Sequence, residues 1–388
     1  MHTPICGVEI RTEAPFIAPA AARQKFPMAN PPIQLSLQTD KSTPSLTPPV
    51  TPIAKDSHAP NPFHETQLTY FTDDLDLCLD SNNRHVEFGR GVWSTVYKAR
   101  AKPSTLLGTP PSSPVTAAQV FAVKAPLRRD ARPVLKAEAA TLTRLTRLPN
   151  HEAHIVPYYG FHVEMCALVL SAIPLSLATF TEDQAELARH KNPMQTMFEP
   201  VQGPASFQDL ARKLIAGLNW LHDVAGLVHG DIKPQNILLR ETESDVFPYE
   251  PVFIDFSATV EIRSEDAPLD TTRASMSSFT PPFTAPEMLA ALMCKEMAPT
   301  AASDVFSLAA TLLAVATGDL LLYSNMNHRL RLEMARAGHQ IIDFTRSGMS
   351  GCRVPRNGFV ERIVKPAVVK DPSMRISTAE WLKLVREV

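Results

Sequence analysis

Two kinds of hydrophobic periodicity follow one another along this chain of 388 residues. Between residues 85 and 173, short segments such as "HVEFGRGVWSTVYKARA" and "QVFAVKAP" alternate apolar and polar positions, and one helical pattern covers 131–148. From about residue 206 the apolar residues recur at helical spacing, and 304–318 is apolar on nearly every face. This separation predicts an α+β fold, with a small β-rich lobe followed by a larger α-helical lobe.

The prolines mark the limits of that folded region. Residues 1–62 hold 12 of the 35 prolines and no periodic apolar pattern. Because proline lacks an amide donor, a stretch such as "STPSLTPPVTP" cannot sustain a helix or a strand ladder. We therefore predict a disordered proline-rich tail, although an extended arm packed on the domain remains an alternative. The predicted organisation is a tail at 1–62, a lead-in segment at 63–83, and one domain at 84–388, with lobes at 84–172 and 173–388 and a proline-rich surface insertion at 102–118.

Charge and cysteine content exclude several classes of protein. The 38 Lys and Arg residues nearly balance 40 Asp and Glu residues, so nothing favours binding to nucleic acid or to a membrane surface. The five cysteines form neither a CxxC pair nor a dense framework, and the N-terminus has no signal pattern. The longest apolar run, within 305–317, is too short to span a bilayer. We expect an intracellular protein, cytoplasmic and/or nuclear, without nucleic-acid or membrane partners.

Two charged residues occupy positions that should be buried. Lys124 ends the strand pattern "VFAVK", and a buried ammonium is costly unless it meets an anion. Glu138 lies four and seven residues before Leu142 and Leu145, so it shares the apolar face of its helix. The pattern favours a Lys124–Glu138 ion pair between helix and sheet. Taken singly, each residue is also compatible with a position at the protein surface.

A polar cluster follows in the second half of the chain. The loop "HGDIKPQN" carries Asp231, Lys233 and Asn236, and "VFIDFS" places Asp255 just after an apolar strand. Carboxylate and amide oxygens are ligands suited to Mg²⁺, with phosphate oxygens completing its shell. Upstream, Gly89 and Gly91 form a Gly-x-Gly that permits a close approach of backbone to phosphate, although such a pair alone is more typical of a hairpin turn.

Taken in order, these motifs resemble those of the eukaryotic protein kinases, of the serine/threonine type. The resemblance covers about 290 residues and rests on eight motifs in register. They are the glycine loop at Gly89, "FAVK" with Lys124, Glu138, "HGDIKPQN", "IDFS", "APE" at 285–287, "SDVFSLA" with Asp304, and "DPSMR" with Arg375. The family implies a bilobal fold with ATP and Mg²⁺ in the cleft and protein substrates with serine or threonine acceptors.

The resemblance also implies roles for individual residues. Asp231 would be the catalytic base, Lys233 would steady the transferred phosphoryl group, and Asn236 and Asp255 would hold Mg²⁺. Lys124 would contact the phosphates and pair with Glu138, and Thr280 would bond across the Asp231–Lys233 site. The remaining implied nucleotide contacts are Phe88, Gly89, Gly91, Ser94, Val96, Ala122, Leu170 and Ile173. Two structural roles are also implied, a Glu287–Arg375 ion pair and support of the catalytic loop by Asp304.

Three positions depart from the family pattern. Ser94 replaces a third glycine, Gly230 replaces an arginine before the catalytic Asp, and Ser257 replaces the glycine after Asp-Phe. None of them removes a group implied to touch phosphate or metal. At Ser257 we expect a stiffer segment, since positive φ costs serine roughly 1 kcal/mol more than glycine. At Gly230 we expect activity that does not depend on phosphorylation of the activation segment, because no cation is present there to receive the phosphate.

Two other functions remain open at this stage. The three departures together are compatible with a pseudokinase that acts as a nucleotide-binding scaffold. A small-molecule phosphotransferase of related fold would share the catalytic Asp and Asn, but would not be expected to carry "APE" or the Asp304 motif. Proline-directed kinases are possible upstream partners, because Thr43, Thr47, Thr51, Thr109 and Ser113 each precede a proline. Phosphosite mapping in the native host that finds all five unmodified would exclude that partner class.

Overall fold

The computed structural model describes residues 67–102, 119–190, 196–262, 280–291, 298–323 and 326–388. The predicted tail, nearly all of the predicted insertion and the segment 263–279 lie outside these residues. No helix in the described ranges has both the length and the apolarity needed to cross a membrane.

The small lobe is built on one antiparallel sheet. Its strands are β1 (Leu75–Leu77), β2 (Glu87–Arg90), β3 (Ser94–Ala101), β4 (Val120–Pro126), β5 (Tyr158–His162) and β6 (Ala167–Ser171). They pair in the order β1–β3–β4–β6–β5, and β2 also pairs with β3. The hairpin predicted around the Gly-x-Gly is confirmed as β2–β3, and the strand predicted over 119–126 is confirmed as β4.

Residues before the Gly-x-Gly hairpin contribute to this sheet. Strand β1 pairs with the end of β3, and Tyr70 forms a parallel bridge with Phe161 of β5. The amide of Thr69 donates to the hydroxyl of Thr143 at 3.1 Å. Part of the segment that the sequence assigns to a lead-in is therefore paired with the small lobe.

One helix of the small lobe, α1 (Arg132–Leu145), packs on the sheet. Pro133 lies in its first turn, where the missing amide donor costs nothing. Its buried face carries Leu135, Ala139 and Leu142 at helical spacing, together with Glu138, which is 1% exposed. The predicted helix over 131–148 is confirmed, with an earlier end.

The large lobe is helical around α5 (Ala301–Thr317). The other helices in the described part of this lobe are α2 (Leu177–His190), α3 (Pro204–Asn219), α4 (Pro286–Ala291), α6 (His328–Arg336), α7 (Ile341–Arg346), α8 (Phe359–Val364) and α9 (Thr378–Glu387). Every residue of α5 from Ser303 to Thr317 is buried, as its uniformly apolar pattern predicts. Thr300 and Ser303 form a capping box at its start.

Two short antiparallel pairs fix the loops of the cleft. Strand β7 (Leu227–Val228) pairs with β10 (Val260–Glu261), and β8 (Ile237–Glu241) pairs with β9 (Tyr249–Phe253). The loop 229–236 connects β7 to β8, and the loop 254–259 connects β9 to β10. Each loop is therefore held at both ends next to the other, which brings Asp231 and Asp255 into one region.

Long-range ion pairs hold further parts of the fold together. Arg375 donates two hydrogen bonds to Glu287, both at 2.7 Å, and its side chain is 1% exposed. Arg144, in the last turn of α1, contacts the Glu261 carboxylate of β10 at 2.7 Å and the Ala225 carbonyl at 2.5 Å. Arg144 thus ties α1 to both sides of the strand pair β7–β10.

Candidate active site

Lys124 links three elements at the base of the cleft. Its ammonium lies 2.8 and 2.7 Å from the two oxygens of Glu138 on α1, and 2.9 Å from Oδ1 of Asp255. The Lys124 and Glu138 side chains are 9% and 1% exposed. Burial disfavours charge on Lys124, but Asp255 and Glu138 outweigh it and hold the pKa of the ammonium above its usual range. The arrangement needs α1 packed against the sheet with Glu138 turned inward.

Asp255 is positioned by an unusual backbone conformation. Its φ is 63°, in the left-handed region that aspartate tolerates better than most residues. The following amide, of Phe256, donates to Glu138 at 3.1 Å. Burial opposes ionisation of Asp255, but Lys124 and the hydroxyl of Ser257 outweigh it, so the pKa of this carboxyl lies well below its usual range.

The structure contradicts the strain expected at Ser257. Among the described residues, positive φ in this segment falls on Asp255, whereas Ser257 lies in a short 3-10 turn, Phe256–Ala258. The Ser257 hydroxyl donates to Asp255 Oδ1 at 2.7 Å. Ser257 therefore acts here through a contact with a carboxylate, and the stiffness argued from its backbone has no basis.

The loop 229–236 is hydrogen-bonded to Asp304 in the first turn of the buried helix α5. Asp304 accepts hydrogen bonds from the backbone amides of His229 and Gly230 at 2.7 and 3.0 Å, and its third contact is His222 Nε2 at 3.1 Å. These bonds satisfy buried backbone donors that would otherwise be costly. The role implied for Asp304, support of the loop backbone, matches this geometry.

Four polar side chains, those of Asp231, Lys233, Asn236 and Thr280, form a chain of contacts at this loop. Lys233 Nζ lies 2.7 Å from Asp231 Oδ2 and 3.3 Å from the hydroxyl of Thr280. The Asn236 amide donates to the carbonyl and to Oδ2 of Asp231, at 2.8 and 3.0 Å. Burial raises the pKa of Asp231, although Lys233 opposes the shift. Two neighbours in the loop thus contact the Asp231 carboxylate, and Thr280, 47 residues after Lys233, contacts the lysine.

One face of the sheet forms an apolar wall beside Lys124. Ala122 and Lys124 are two residues apart on β4, so their side chains project from the same face of the sheet. Val96 pairs with Lys124 and Leu170 pairs with Ala122, which places all four side chains on that face. Ile173 packs against the same cluster, whereas Phe88 is 43% exposed on β2.

The residues of the glycine loop fall into two environments. A Cβ added at Gly89 would meet nothing within 4 Å, and one at Gly91 only the Ser94 carbonyl at 3.9 Å. The protein itself therefore leaves this face open. Ser94 differs, because it is 6% exposed and its carbonyl accepts the Gly91 amide at 2.8 Å.

Comparison with known proteins fits this geometry. A family model described as "Protein kinase domain" matches residues 83–384. The chain belongs to the protein kinase family. The match covers both lobes, and the bilobal α+β fold expected from the sequence is confirmed.

The chain is also similar to curated kinases. Serine/threonine-protein kinase PknK of Mycobacterium bovis is 31% identical over 194 residues, which is 49% of this chain and 15% of that protein. Serine/threonine-protein kinase/endoribonuclease IRE1b of Arabidopsis thaliana is 27% identical over 189 residues, 44% of this chain and 20% of that protein. Serine/threonine-protein kinase SSK22 of Saccharomyces cerevisiae is 29% identical over 193 residues, which is 45% of this chain and 13% of that protein. This protein kinase thus spans a fifth or less of the length of these relatives.

Sequence reasoning missed three features of the site. The Ser257–Asp255 bond, the Arg144 contacts and the backbone of Gly230, which has φ of 82°, were not anticipated. Of the three, only the Ser257–Asp255 bond had a signal in the sequence, which is the serine in place of the family's glycine. That replacement suggested backbone strain at Ser257 instead of a side-chain contact. Arg144 is 117 residues from Glu261, and nothing local in the sequence indicates that pairing.

Proposed function

We propose that this protein kinase is an active enzyme that transfers the γ-phosphoryl group of Mg-ATP to serine or threonine hydroxyls of protein substrates. The observation that carries the proposal is the convergence of Lys233 and Asn236 on Asp231, with Thr280 bonded to Lys233, in the same structure as the Lys124–Glu138–Asp255 group. The proposed catalytic domain is 84–388, with the lobes at 84–172 and 173–388, and it follows the tail at 1–62. An intracellular location remains part of the proposal. It is supported by Cys78, Cys166 and Cys352, which form no disulfide in the described part.

The oxygen atoms of Asp255 and Asn236 are suited to bind a magnesium ion. Lys124 and Ser257 both bond Oδ1 of Asp255, so Oδ2 remains for a metal. The NH₂ group of Asn236 is used by Asp231, which leaves its carbonyl oxygen. No cluster of three or more His, Cys, Asp or Glu suited to a metal occurs in the described ranges. That agrees with Mg²⁺, which commonly uses one or two protein ligands with phosphate oxygens and water.

The cleft also fits ATP. The wall of Val96, Ala122, Leu170 and Ile173 suits an adenine ring, and the open face at Gly89 and Gly91 leaves room for phosphates beneath β2 and β3. When bound, Mg-ATP supplies the phosphoryl group, with its charge partly neutralised by the metal. Ser94 would contribute through its backbone, since its side chain is buried.

The chain's own residues then orient and stabilise the reacting groups. Asp231 holds the substrate hydroxyl and receives its proton, and Lys233 balances negative charge as it develops. Thr280 accepts a hydrogen bond from Lys233 and so helps to hold its ammonium at Asp231. Lys124, oriented by Glu138, presents an ammonium to the phosphates. Most of the rate acceleration would come from positioning and electrostatics, because phosphoryl transfer asks little covalent chemistry of the protein.

The test is phosphoryl transfer by the purified chain with Mg-ATP and a serine/threonine peptide library. The Asp231→Asn variant is the matched control, since it keeps the side-chain shape and removes the negative charge. We expect transfer by the wild type and near-complete loss in the variant. Equal signals from both proteins would indicate a contaminating kinase. Nucleotide binding without transfer to any peptide would favour the scaffold alternative.

Loss of the Asp255 charge should remove the dependence of nucleotide binding on metal. We expect ATP to raise the unfolding temperature of the wild type more with Mg²⁺ than without it, because Asp255 would hold a metal ion that offsets the charge of the nucleotide. In Asp255→Asn the two shifts should be equal. Equal shifts already in the wild type would remove Asp255 as a metal ligand.

Ser257 should tune that metal site. Loss of one hydrogen bond to a carboxylate is expected to weaken Mg²⁺ binding about fivefold in Ser257→Ala, since Oδ1 of Asp255 loses a donor. Ser257→Thr keeps the hydroxyl and should bind Mg²⁺ as the wild type does. A magnesium titration of ATP-induced stabilisation compares the three proteins. Equal affinity in the alanine and threonine variants would show that the hydroxyl has no such effect.

A further inference from the structure

The two halves of helix α1 pack against different parts of the protein. Ala139, Leu142 and Leu145, in its second half, belong to the core that extends into the large lobe. The buried residues around its start form a separate small cluster, and the apolar side chain packed against that cluster is Trp93. The members of the cluster are Ala131, Val134 and Leu135. Within the described residues, Trp93 therefore covers the start of α1.

Trp93 lies in the turn between β2 and β3, and its backbone is held as well as its ring. Its carbonyl accepts the amide of Leu127, just after β4, at 2.9 Å. The Arg128 guanidinium lies over the indole, 5.4 Å from the ring centroid, where a cation is attracted to an aromatic face. Arg128 Nε is in turn 3.1 Å from Oδ1 of Asp130. Apolar packing, a backbone hydrogen bond and a cation–π contact thus attach this turn to the connection between β4 and α1.

Ser94, which departs from the family pattern, belongs to the same attachment. It pairs with Pro126 at the end of β4, its side chain is buried, and its carbonyl accepts the amide of Gly91 at 2.8 Å. Strand pairing fixes the backbone of Ser94, so the conformational freedom of a third glycine is absent on this side of the hairpin. Strand β2, in contrast, is exposed along its whole length. The β3 side of the hairpin is therefore the side that is fixed to α1.

Helix α1 connects this attachment to the Lys124–Glu138 pair. Val134 and Leu135 precede Glu138 by four and three residues, so the three side chains share one face of the helix. Movement of the start of α1 away from the sheet would separate Trp93 from its cluster and Glu138 from Lys124, whose ammonium now lies 2.7 and 2.8 Å from the two carboxylate oxygens. Contacts that form only in the same position of a helix stabilise each other, because each adds to the free energy of that one state.

We propose that Trp93 is a positioning residue for the reaction, which fixes the β2–β3 hairpin to the start of α1 and thereby favours the position of α1 in which Glu138 holds Lys124. Arg128 stabilises the position of the indole. The proposal rests on the protein kinase activity proposed above, and it assigns Trp93 no contact with nucleotide or substrate. Occupation of the cleft by Mg-ATP and the packing of Trp93 on α1 should reinforce each other, since both favour the same position of the helix.

Peptide phosphorylation tests this role. Trp93→Ala removes the ring, whereas Trp93→Phe keeps an aromatic side chain that can reach α1. We expect Trp93→Ala to lower kcat/KM for ATP about tenfold, a usual size for coupling between two sites, and to leave KM for the peptide unchanged. Trp93→Phe should keep most of the activity. Val92→Ala is the matched control, because Val92 is next to Trp93 in the same turn but 63% exposed, and it should behave as the wild type.

A double variant shows whether Trp93 acts through Glu138. In a chain that already carries Glu138→Gln, the Lys124 pair is weakened, so Trp93→Ala should cause a much smaller further loss than it does in the wild type. Fully additive losses would show that Trp93 supports activity by another route and would overturn the proposal.

Trp93 also reports on the coupling without any turnover. It is half-buried, whereas the other two of the three tryptophans, Trp220 and Trp381, are buried, so acrylamide in solution reaches mainly Trp93. The emission that is missing in Trp93→Phe isolates its signal. We expect Glu138→Gln to increase the quenching of Trp93 in the absence of nucleotide, and Mg-ATP to decrease it in the wild type. A merely structural role for Trp93 would leave its quenching unaffected by Glu138→Gln.

A surface variant covers the case in which Trp93→Ala does not fold. Arg128 is exposed, so Arg128→Gln should leave the fold intact, increase the quenching of Trp93 and lower kcat/KM for ATP about threefold, as an exposed cation–π contact predicts. Arg129→Gln, at the exposed neighbouring position, is its control and should change neither. An inactive chain with the expected quenching would overturn the proposed activity and keep the coupling. An active chain whose Trp93 quenching does not respond to Glu138→Gln would overturn the role of Trp93 alone.

Discussion

Replacing Lys124 with methionine is expected to reduce turnover by several orders of magnitude and to lower the free energy of unfolding. Catalysis falls because the ammonium that would meet the phosphates is gone, and electrostatic positioning carries most of this chemistry. Stability falls because Glu138, 1% exposed, would remain as a buried carboxylate without its cation. Removing one partner of a buried ion pair commonly costs about 3–5 kcal/mol. Urea unfolding and a peptide phosphorylation assay measure the two effects separately.

A double variant separates stability from catalysis. Lys124→Met with Glu138→Gln has no unpaired charge at this site on α1, and the glutamine oxygen can still accept the Phe256 amide. We expect it to recover much of the lost stability and none of the lost turnover. Recovery of both would mean that Lys124 supports activity only by keeping the fold intact. Glu138→Gln alone should lose less activity than Lys124→Met, because the lysine remains.

Any side chain at position 230 is expected to destabilise the protein kinase and to impair its catalytic loop. Gly230 has φ of 82°, and an added Cβ would lie 2.6 Å from the carbonyl oxygen of Ala258 and 3.1 Å from Pro299. The left-handed conformation alone costs a non-glycine residue about 1–2 kcal/mol. The clash with backbone adds to this, because the Ala258 carbonyl cannot turn aside as a flexible side chain would. Gly230→Ala, and Gly230→Arg even more, should therefore lower both the unfolding free energy and turnover.

Gly226 provides the matched control for that experiment. It also has positive φ, 64°, but an added Cβ would meet only the end of the Arg144 side chain, at 3.9 Å. Gly226→Ala should thus carry the cost of backbone conformation without the clash. A larger loss of stability in Gly230→Ala is the expected result. Equal losses in the two variants would show that the contact with Ala258 yields easily.

The conformation of Gly230 bears on regulation. Because the backbone admits no side chain there, a phosphate-binding arginine is excluded by geometry as well as by sequence. Phosphatase treatment should leave turnover nearly unchanged, as should alanine at the five acceptors Thr271, Thr272, Ser275, Ser277 and Ser278. These acceptors, like Arg263 and Arg273, lie outside the described residues. Loss of most activity on dephosphorylation would require another cation in the arginine's place.

Much of the site was accessible from local patterns. Glu138 shares an apolar helix face, and Lys124 ends a buried strand, so each needed a partner of opposite charge that packing would supply. Asp255 follows a buried strand, where side chains reach the cleft. Predictions of this kind succeed because burial and periodicity are properties of a few neighbouring residues.

The features that sequence could not supply depend on contacts between distant segments. Ser257 was misread because the sequence does not reveal which residue of its turn takes positive φ. The backbone at Gly230 depends on Ala258 and Pro299, which approach it only in the folded chain. A small cavity is lined by Pro281, Tyr323 and Arg331, which belong to segments that lie apart in the sequence.

The attachment of the catalytic loop to α5 has a consequence for how the protein kinase opens. Segments of a native protein exchange their amides with solvent at different rates, and the most buried helices open last, often together with global unfolding. Asp304 ties the amides of His229 and Gly230 to the start of such a helix, whereas β2 is exposed along its whole length. The exposed strand β2, proposed to lie over the phosphates, can therefore fray and re-form many times while the loop around Asp231 keeps its shape. Under the proposed function, nucleotide exchange then need not disturb the groups that would meet the substrate hydroxyl.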